Sequence, residues 1–125
     1  MAPPRNSKPN GICGMNEYGI YYILNLHNDR IYVGQTGNLW MRMRQHYRRL
    51  TTNHHPNKLL QHDWNTCGEN AFEFGVLATI DKRALDRNET LERLERLFTI
   101  KVYQSDKPQF GYNIPSGTRV LIVNA

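Results

Sequence analysis

The sequence predicts an α+β fold: a small three-stranded antiparallel sheet flanked by three or more helices, in the order β-β-α-α-β-α. Two β-branched and aromatic runs, residues 20–24 and 31–33, flank the turn-like His27-Asn28-Asp29-Arg30, which reads as a hairpin. Three later stretches repeat apolar residues at helical spacing. Between the second and third of these, Phe72, Phe74, Val76, Ala78 and Ile80 alternate with other residues, the period of a strand with one packed face. A hairpin, two helices, a strand and a helix in this order assemble most simply as helices carried on an antiparallel sheet. With 125 residues the chain has room for one modest core, so whatever it does is expected to happen in one compact unit.

Residues 1–16 read as a flexible basic N-terminal tail, since prolines, glycines and positive charges occur there without apolar rhythm. The folded domain is expected over 17–114. After the hairpin, Asn38 can cap a helix in which Leu39, Met43, Tyr47 and Leu50 form one stripe and Arg42, His46 and Arg49 another. A second helix is expected over about 56–66, with Pro56 in its first turn, Gly68 as its stop, and Leu59, Leu60 and Trp64 inside. The alternating strand follows. Asp86 with Glu89 three residues on resembles a capping box, opening a helix with Leu91, Leu94, Leu97 and Phe98 on its apolar side and running to about Tyr103. Residues 105–111 are turn-rich, 111–114 look like a short ordered return, and the 115–125 extension holds Val120-Leu121-Ile122-Val123, suited to a last edge strand.

Sixteen Lys and Arg against eleven Asp and Glu leave a net charge of +5, which suits a polyanion: nucleic acid first, an anionic membrane surface second. Two cysteines, Cys13 and Cys67, are too few and too scattered for a disulfide framework, so a reducing, cytoplasmic setting is expected. No apolar run reaches the roughly 18 to 20 residues of a membrane span, and none resembles a secretory signal.

Several residues invite chemistry, each with a plainer reading beside it. An even-numbered hairpin loop, such as a two-residue Asn28-Asp29 turn, puts Tyr21 and Tyr32 on one face, yet about 13 Å apart along the strands at ~3.3 Å per residue. Strand tyrosines serve equally well as cross-strand packing. Arg42, His46 and Arg49 stack along one helix face, where a guanidinium can grip a phosphate, or they form a solvated basic face. His46, His54, His55 and His62 suggest zinc only weakly, because neither CxxC nor HExxH spacing is present. Glu92 and Glu95 among Arg93 and Arg96 read as a salt-bridged surface; Glu95 also lies at the edge of the apolar stripe, where a carboxylate can hold a hard cation.

Taken in order, Gly19-Ile20-Tyr21, Tyr32-Val33-Gly34, Arg42 with His46 a turn later, Glu95 ahead of an aromatic residue, and Gly111-Tyr112-Asn113 resemble the motifs of the GIY-YIG endonuclease family. Valine replaces the isoleucine of the second motif. The resemblance is collinear from about Tyr18 to Ile114, and residues 55–61 also resemble a segment of phage and intron-encoded homing members. It implies a divalent-metal-dependent endonuclease leaving 5′-phosphate and 3′-hydroxyl ends on DNA. Tyr21 would help activate the attacking water, with Tyr32 as neighbour or substitute. Arg42 would steady the scissile phosphate, and His46 would take part in proton transfer or phosphate contact. Glu95 would bind one Mg²⁺ or Mn²⁺ ion, and Asn113 would order the end of the site. A phenol of ordinary pKa ~10 is a poor base at neutral pH, so a cation must steady its phenolate.

DNA contacts are expected from His55 (or His54 after a one-residue slip), Arg44, Arg48, Arg49 and Lys58. These would hold phosphates without reading bases, so the isolated domain is expected to have low sequence specificity. Homing members add DNA-reading domains; this domain would rely on DNA shape, a partner protein or a homodimer. The rival readings are a DNA-binding module of the same fold without catalysis, and an interaction domain for an acidic protein or lipid surface. A phage or mobile-element origin, in a bacterial or phage-infected host, accords with the homing resemblance.

Overall fold

A computed structural model describes residues 10–114. Strands β1 (Tyr18–Asn25), β2 (Ile31–Thr36) and β3 (Phe72–Ile80) form an antiparallel sheet ordered β2-β1-β3, and helices α1 (Leu39–Thr51), α2 (Lys58–Cys67) and α3 (Arg87–Arg96) complete the expected β-β-α-α-β-α order. The strand proposed within 115–125 lies outside the described residues. No described helix is long and apolar enough to cross a membrane.

The sheet is packed on both faces. Tyr21, Ile23 and Tyr32 meet Leu39, Met43 and Leu50 of α1 and Leu59, Leu60 and Trp64 of α2; Ile20, Ile31 and Val33 on the opposite face meet Leu91 and Leu94 of α3 and Phe98 just beyond it. Strand β3 serves both layers. A bulge opposite Ile20 and Tyr21 inserts one residue, since Ile20 pairs with Ala78 but Tyr21 with Val76. Phe72, Phe74 and Val76 therefore join the α1/α2 layer, while Leu77, Ala78 and Ile80 join the α3 layer. The single packed face read from strict alternation is corrected to two half-faces.

Helices α2 and α3 differ from expectation in detail, while α3 still opens after Asp86 and runs on to Tyr103. Helix α2 starts after Pro56: Asn57 is its cap and accepts from the Leu60 amide. The Asp86–Glu89 capping box is not formed, because Asp86 has φ −101° and ψ 23°, away from the extended backbone that aims a capping carboxylate. Beyond Arg96 the helix widens into a π-helical turn, Leu97–Val102, ending at Tyr103; Leu97 falls off the packed stripe and is exposed.

The end of the expected tail is built into the fold. Residues Asn10–Ile12 form a 3₁₀ turn, and Ile12 is buried against the α1/α2 layer. The carbonyls of Glu17 and Met15 accept from the amides of Leu39 and Trp40, first-turn donors of α1 that have no partner within the helix. At the other end, the amide of Tyr112 donates to the Ile31 carbonyl, and Gly111 bridges Ile31 in parallel, so this return covers the outer edge of β2. The buried Tyr112 hydroxyl donates to Asp63 (2.7 Å), which also accepts from Arg30 (2.9 Å) and Asn28 (3.1 Å), tying α2 to the hairpin loop and the return.

Candidate active site

The hairpin register decides where the tyrosines meet. In place of a two-residue turn, residues 26–29 form a four-residue loop, held by Asn25 Oδ1 accepting from the His27 amide and Asn28 Oδ1 from the Arg30 amide, with Asp29 at φ 64°. Relative to the two-residue turn this slides the pairing by two residues: Tyr21 lies opposite Gly34 and Ile23 opposite Tyr32. The side-chain face is unchanged, so Tyr32 becomes the diagonal neighbour of Tyr21, with ring centroids 6.3 Å apart instead of a separation near 13 Å.

Gly34 is the floor under the Tyr21 ring. A Cβ at Gly34 would stand 2.4 Å from Tyr21 Oη and 2.5 Å from its Cζ, and the ring is buried with no room to retreat. Gly34→Ala is therefore expected to cost about 1–3 kcal/mol of stability by overpacking. Displacing the hydroxyl by about 1 Å should also slow catalysis roughly 10²-fold. Denaturation midpoints and single-turnover rates check this; wild-type rates in Gly34→Ala would show that the hydroxyl position is not critical.

Helix α1 brings the next residues. Capped by Asn38 through the Met41 amide, it turns His46 inward to 4% exposure and leaves Arg42 half-buried beside it. His46 Nε2 lies 2.7 Å from Tyr21 Oη, and Arg42 Nε donates to the same oxygen at 3.4 Å. Arg42 Nη1 donates to Gln45 Oε1 (2.8 Å), leaving Nη2 without a partner among the described residues. The stripe Arg42, His46, Arg49 is thus not a solvated basic face: His46 is buried and both arginines are half-buried. His46 Nδ1 lies 2.8 Å from His55 Nε2, and the two rings stack. His55, expected to contact DNA, is buried with both ring nitrogens engaged, while His54 is exposed. The α1–α2 loop folds His55 beneath the site because Asn53 (φ 61°) reverses the chain after α1.

Burial raises the Tyr21 hydroxyl pKa well above that of an ordinary phenol, and Tyr32 adds to the rise; the hydrogen bond and charge of Arg42 oppose it, and the charge of Glu95 reinforces it. Tyr32 is also pushed up, first by burial, with Arg42 and a hydrogen bond from Tyr21 opposing and Glu95 reinforcing. Both are phenols at neutral pH in the protein by itself. The histidines move the other way. Burial, then the charges of His55, Arg42 and Arg49, bring His46 down to about 3; burial, then Arg49 and Arg42, bring His55 down to about 4.

This gives a stability prediction. Unfolded, each ring takes a proton near 6.5, whereas folded it stays neutral to about 4 or below. Protons therefore favour the unfolded chain as pH falls below ~6.5, and the associated stability is complete above that value and lost toward pH 4 and 3. Unfolding free energy should drop by roughly 5 kcal/mol between pH 7 and 4.5, about half from each ring. Denaturant titrations at the two pH values measure it, and the drop should shrink in a His46→Phe, His55→Leu double variant; an equal drop there would assign it elsewhere.

Glu95 comes from the α3 layer and is half-buried. Its Oε1 accepts from Gln35 Nε2 of β2 (3.2 Å), and it makes no ion pair among the described residues, so the salt-bridged reading of this carboxylate is not realised. Among the described residues no group of three or more His, Cys, Asp or Glu converges. An ion at Glu95 would have one protein carboxylate and otherwise water or phosphate oxygens, a donor set that fits Mg²⁺ or Mn²⁺ and does not fit a structural zinc.

Asn113 stands apart from this cluster. Its Oδ1 accepts from the Val33 amide (2.7 Å) and its Nδ2 donates to the Val33 carbonyl (2.6 Å), clamping the peptide between Tyr32 and Gly34. Arg44 and Arg48 are exposed and line a groove with Thr36, Asn38, Met41, Arg42 and Gln45; Arg44 also stacks over Trp40. Lys58 is exposed at the start of α2, away from that groove. Sequence reasoning missed Gln35 as the partner of Glu95 and Asn57 as the partner of His55. The first contact joins β2 to α3 across the sheet, and the second is made by the Asn57 backbone amide two residues on, so no side-chain pattern signals either.

Known proteins match this arrangement. The family model for the GIY-YIG catalytic domain matches residues 17–108. The solved catalytic domain of the homing endonuclease I-TevI is similar at 30% identity and TM-score 0.67, covering 80% of this chain and 100% of that one. A glutamate-to-alanine mutant of the I-TevI catalytic domain, described as an intron endonuclease, gives 29% identity and TM-score 0.65, covering 82% and 97%. No curated protein sequence matches. With the paired tyrosines, Arg42 and Glu95 gathered within the matched span, the chain belongs to the GIY-YIG endonuclease family.

Proposed function

We propose that this domain is a divalent-metal-dependent endonuclease that hydrolyses DNA phosphodiester bonds, using Mg²⁺ or Mn²⁺ at Glu95 and leaving 5′-phosphate and 3′-hydroxyl ends. The observation that carries the reading is the Tyr21 hydroxyl, buried beside Tyr32 and receiving Arg42, within the electrostatic reach of Glu95, which forms no ion pair among the described residues. The Tyr21 hydroxyl first gives its proton to solvent on the cleft side; the phenolate takes a proton from the water as that water attacks the scissile phosphorus, the bond to O3′ breaks, and the departing O3′ oxygen takes a proton from solvent. Arg42 Nη2 steadies the charge on the phosphate. Glu95 would hold the divalent ion, which when bound would supply positive charge offsetting the carboxylate's upward push on Tyr21 and polarising the phosphate. Arg44, Arg48, Arg49 and Lys58 hold DNA phosphates, so sequence discrimination by the domain alone is low.

The test is incubation with labelled supercoiled, linear and branched DNA in Mg²⁺, Mn²⁺ or EDTA. Cleavage with either metal and none in EDTA is expected; binding without cleavage on every substrate would favour a DNA-binding module of the same fold.

A further inference from the structure

Hydrogen bonds beneath Tyr21 have a direction, and it is set by a peptide group. The backbone N–H of Asn57 lies 3.0 Å from His55 Nδ1, and a peptide N–H can only donate. His55 Nδ1 must therefore present its lone pair. A neutral imidazole carries one N–H, so that of His55 is on Nε2, facing His46 Nδ1 at 2.8 Å. That nitrogen must accept in turn, which puts the N–H of His46 on Nε2, 2.7 Å from Tyr21 Oη. The start of the chain is pinned: Asn57 caps α2 through Oδ1, donates through Nδ2 to the Tyr112 carbonyl (2.6 Å), and the His55 amide donates to Gln61 Oε1 (3.0 Å).

We propose that His55, oriented by the Asn57 backbone amide, is a positioning residue that locks His46 as an Nε2–H donor to Tyr21, so that the histidine pair steadies the Tyr21 oxygen and does not receive its proton. The opposite direction would require N–H on His55 Nδ1, head-on against the Asn57 N–H inside the protein. With His46 and Arg42 both donating, the two lone pairs of the phenol oxygen are engaged and its own proton turns away from the histidines, toward Tyr32 and the cleft. The oxygen is thereby prepared to carry negative charge, and its proton has to leave on the substrate side. The catalytic consequence rests on the endonuclease reading; the tautomers do not.

The histidine tautomers of the whole chain are read at pH 7, without DNA or metal, from ¹⁵N shifts and long-range ¹H–¹⁵N couplings. Neutral Nε2–H forms are expected at both His46 and His55; an Nδ1–H tautomer or an imidazolium at His46 overturns the proposal, and this measurement needs no variant. His55→Gln keeps a donor toward His46 and should retain its Nε2–H form with cleavage within about threefold of wild type. His55→Leu should mix the His46 tautomers and slow single-turnover cleavage by ~10–100-fold at unchanged DNA affinity, the usual range for removing an orienting partner. A folded His55→Leu with wild-type tautomer and rate overturns the role of His55. If the wild type cuts no DNA, the endonuclease reading fails and the spectra still decide the tautomers.

Discussion

Tyr21→Phe is expected to slow DNA cleavage by about 10²–10⁴-fold while leaving the domain folded, the range for removing a positioned acid or base. The phenyl ring still lies over Gly34 and fills the same space, so packing is kept. What is lost is the oxygen on which His46 and Arg42 converge. Leaving the buried His46 nitrogen without its partner should cost about 1–3 kcal/mol of stability, readable by denaturation separately from the rate. Tyr32→Phe should cost less, since Arg42 donates to Tyr21 and not to Tyr32. Single-turnover rates on one DNA substrate with Mg²⁺ rank the two; a nearly active Tyr21→Phe beside an inactive Tyr32→Phe would exchange their roles.

Glu95→Gln separates two ways in which a carboxylate can act here. Its charge pushes both tyrosines upward, away from the phenolate, so if charge were its whole contribution the neutral variant would cleave as fast as wild type or faster. If Glu95 holds the metal, the variant loses stabilisation worth several kcal/mol and cleavage drops by roughly 10³-fold. Glutamine keeps an oxygen for the Gln35 amide, so the local fold should survive. Mn²⁺ titration by electron paramagnetic resonance in the presence of DNA supplies the independent reading: weakened binding is expected, and unchanged Mn²⁺ affinity alongside lost cleavage would move the ion away from Glu95.

Histidine placement shows where residue-by-residue reading stops. Spacing puts His46 on one stripe with Arg42 and Arg49, but it does not tell which side of α1 the sheet will cover; in the fold, Tyr21 and Tyr32 lie against that side and His46 is buried. His55 sits in a loop beside the exposed His54, and only the chain reversal at Asn53 chooses between them.

The sequence by itself determined the order of elements, the α+β class, the Asn38 cap and Gly68 stop, and, through ordered motifs, the family. These are local matters: period, caps and turn chemistry act within a few residues. Tertiary structure alone decided what brings the site together. The four-residue hairpin loop moved Tyr32 to the diagonal of Tyr21, the bulge in β3 divided one alternating strand between two layers, and Gln35 met Glu95 from another element. Register shifts by two leave every side chain on its expected face, so the apolar pattern cannot detect them. They nevertheless change distances by ~6.6 Å at ~3.3 Å per residue, enough to decide whether two hydroxyls share a site.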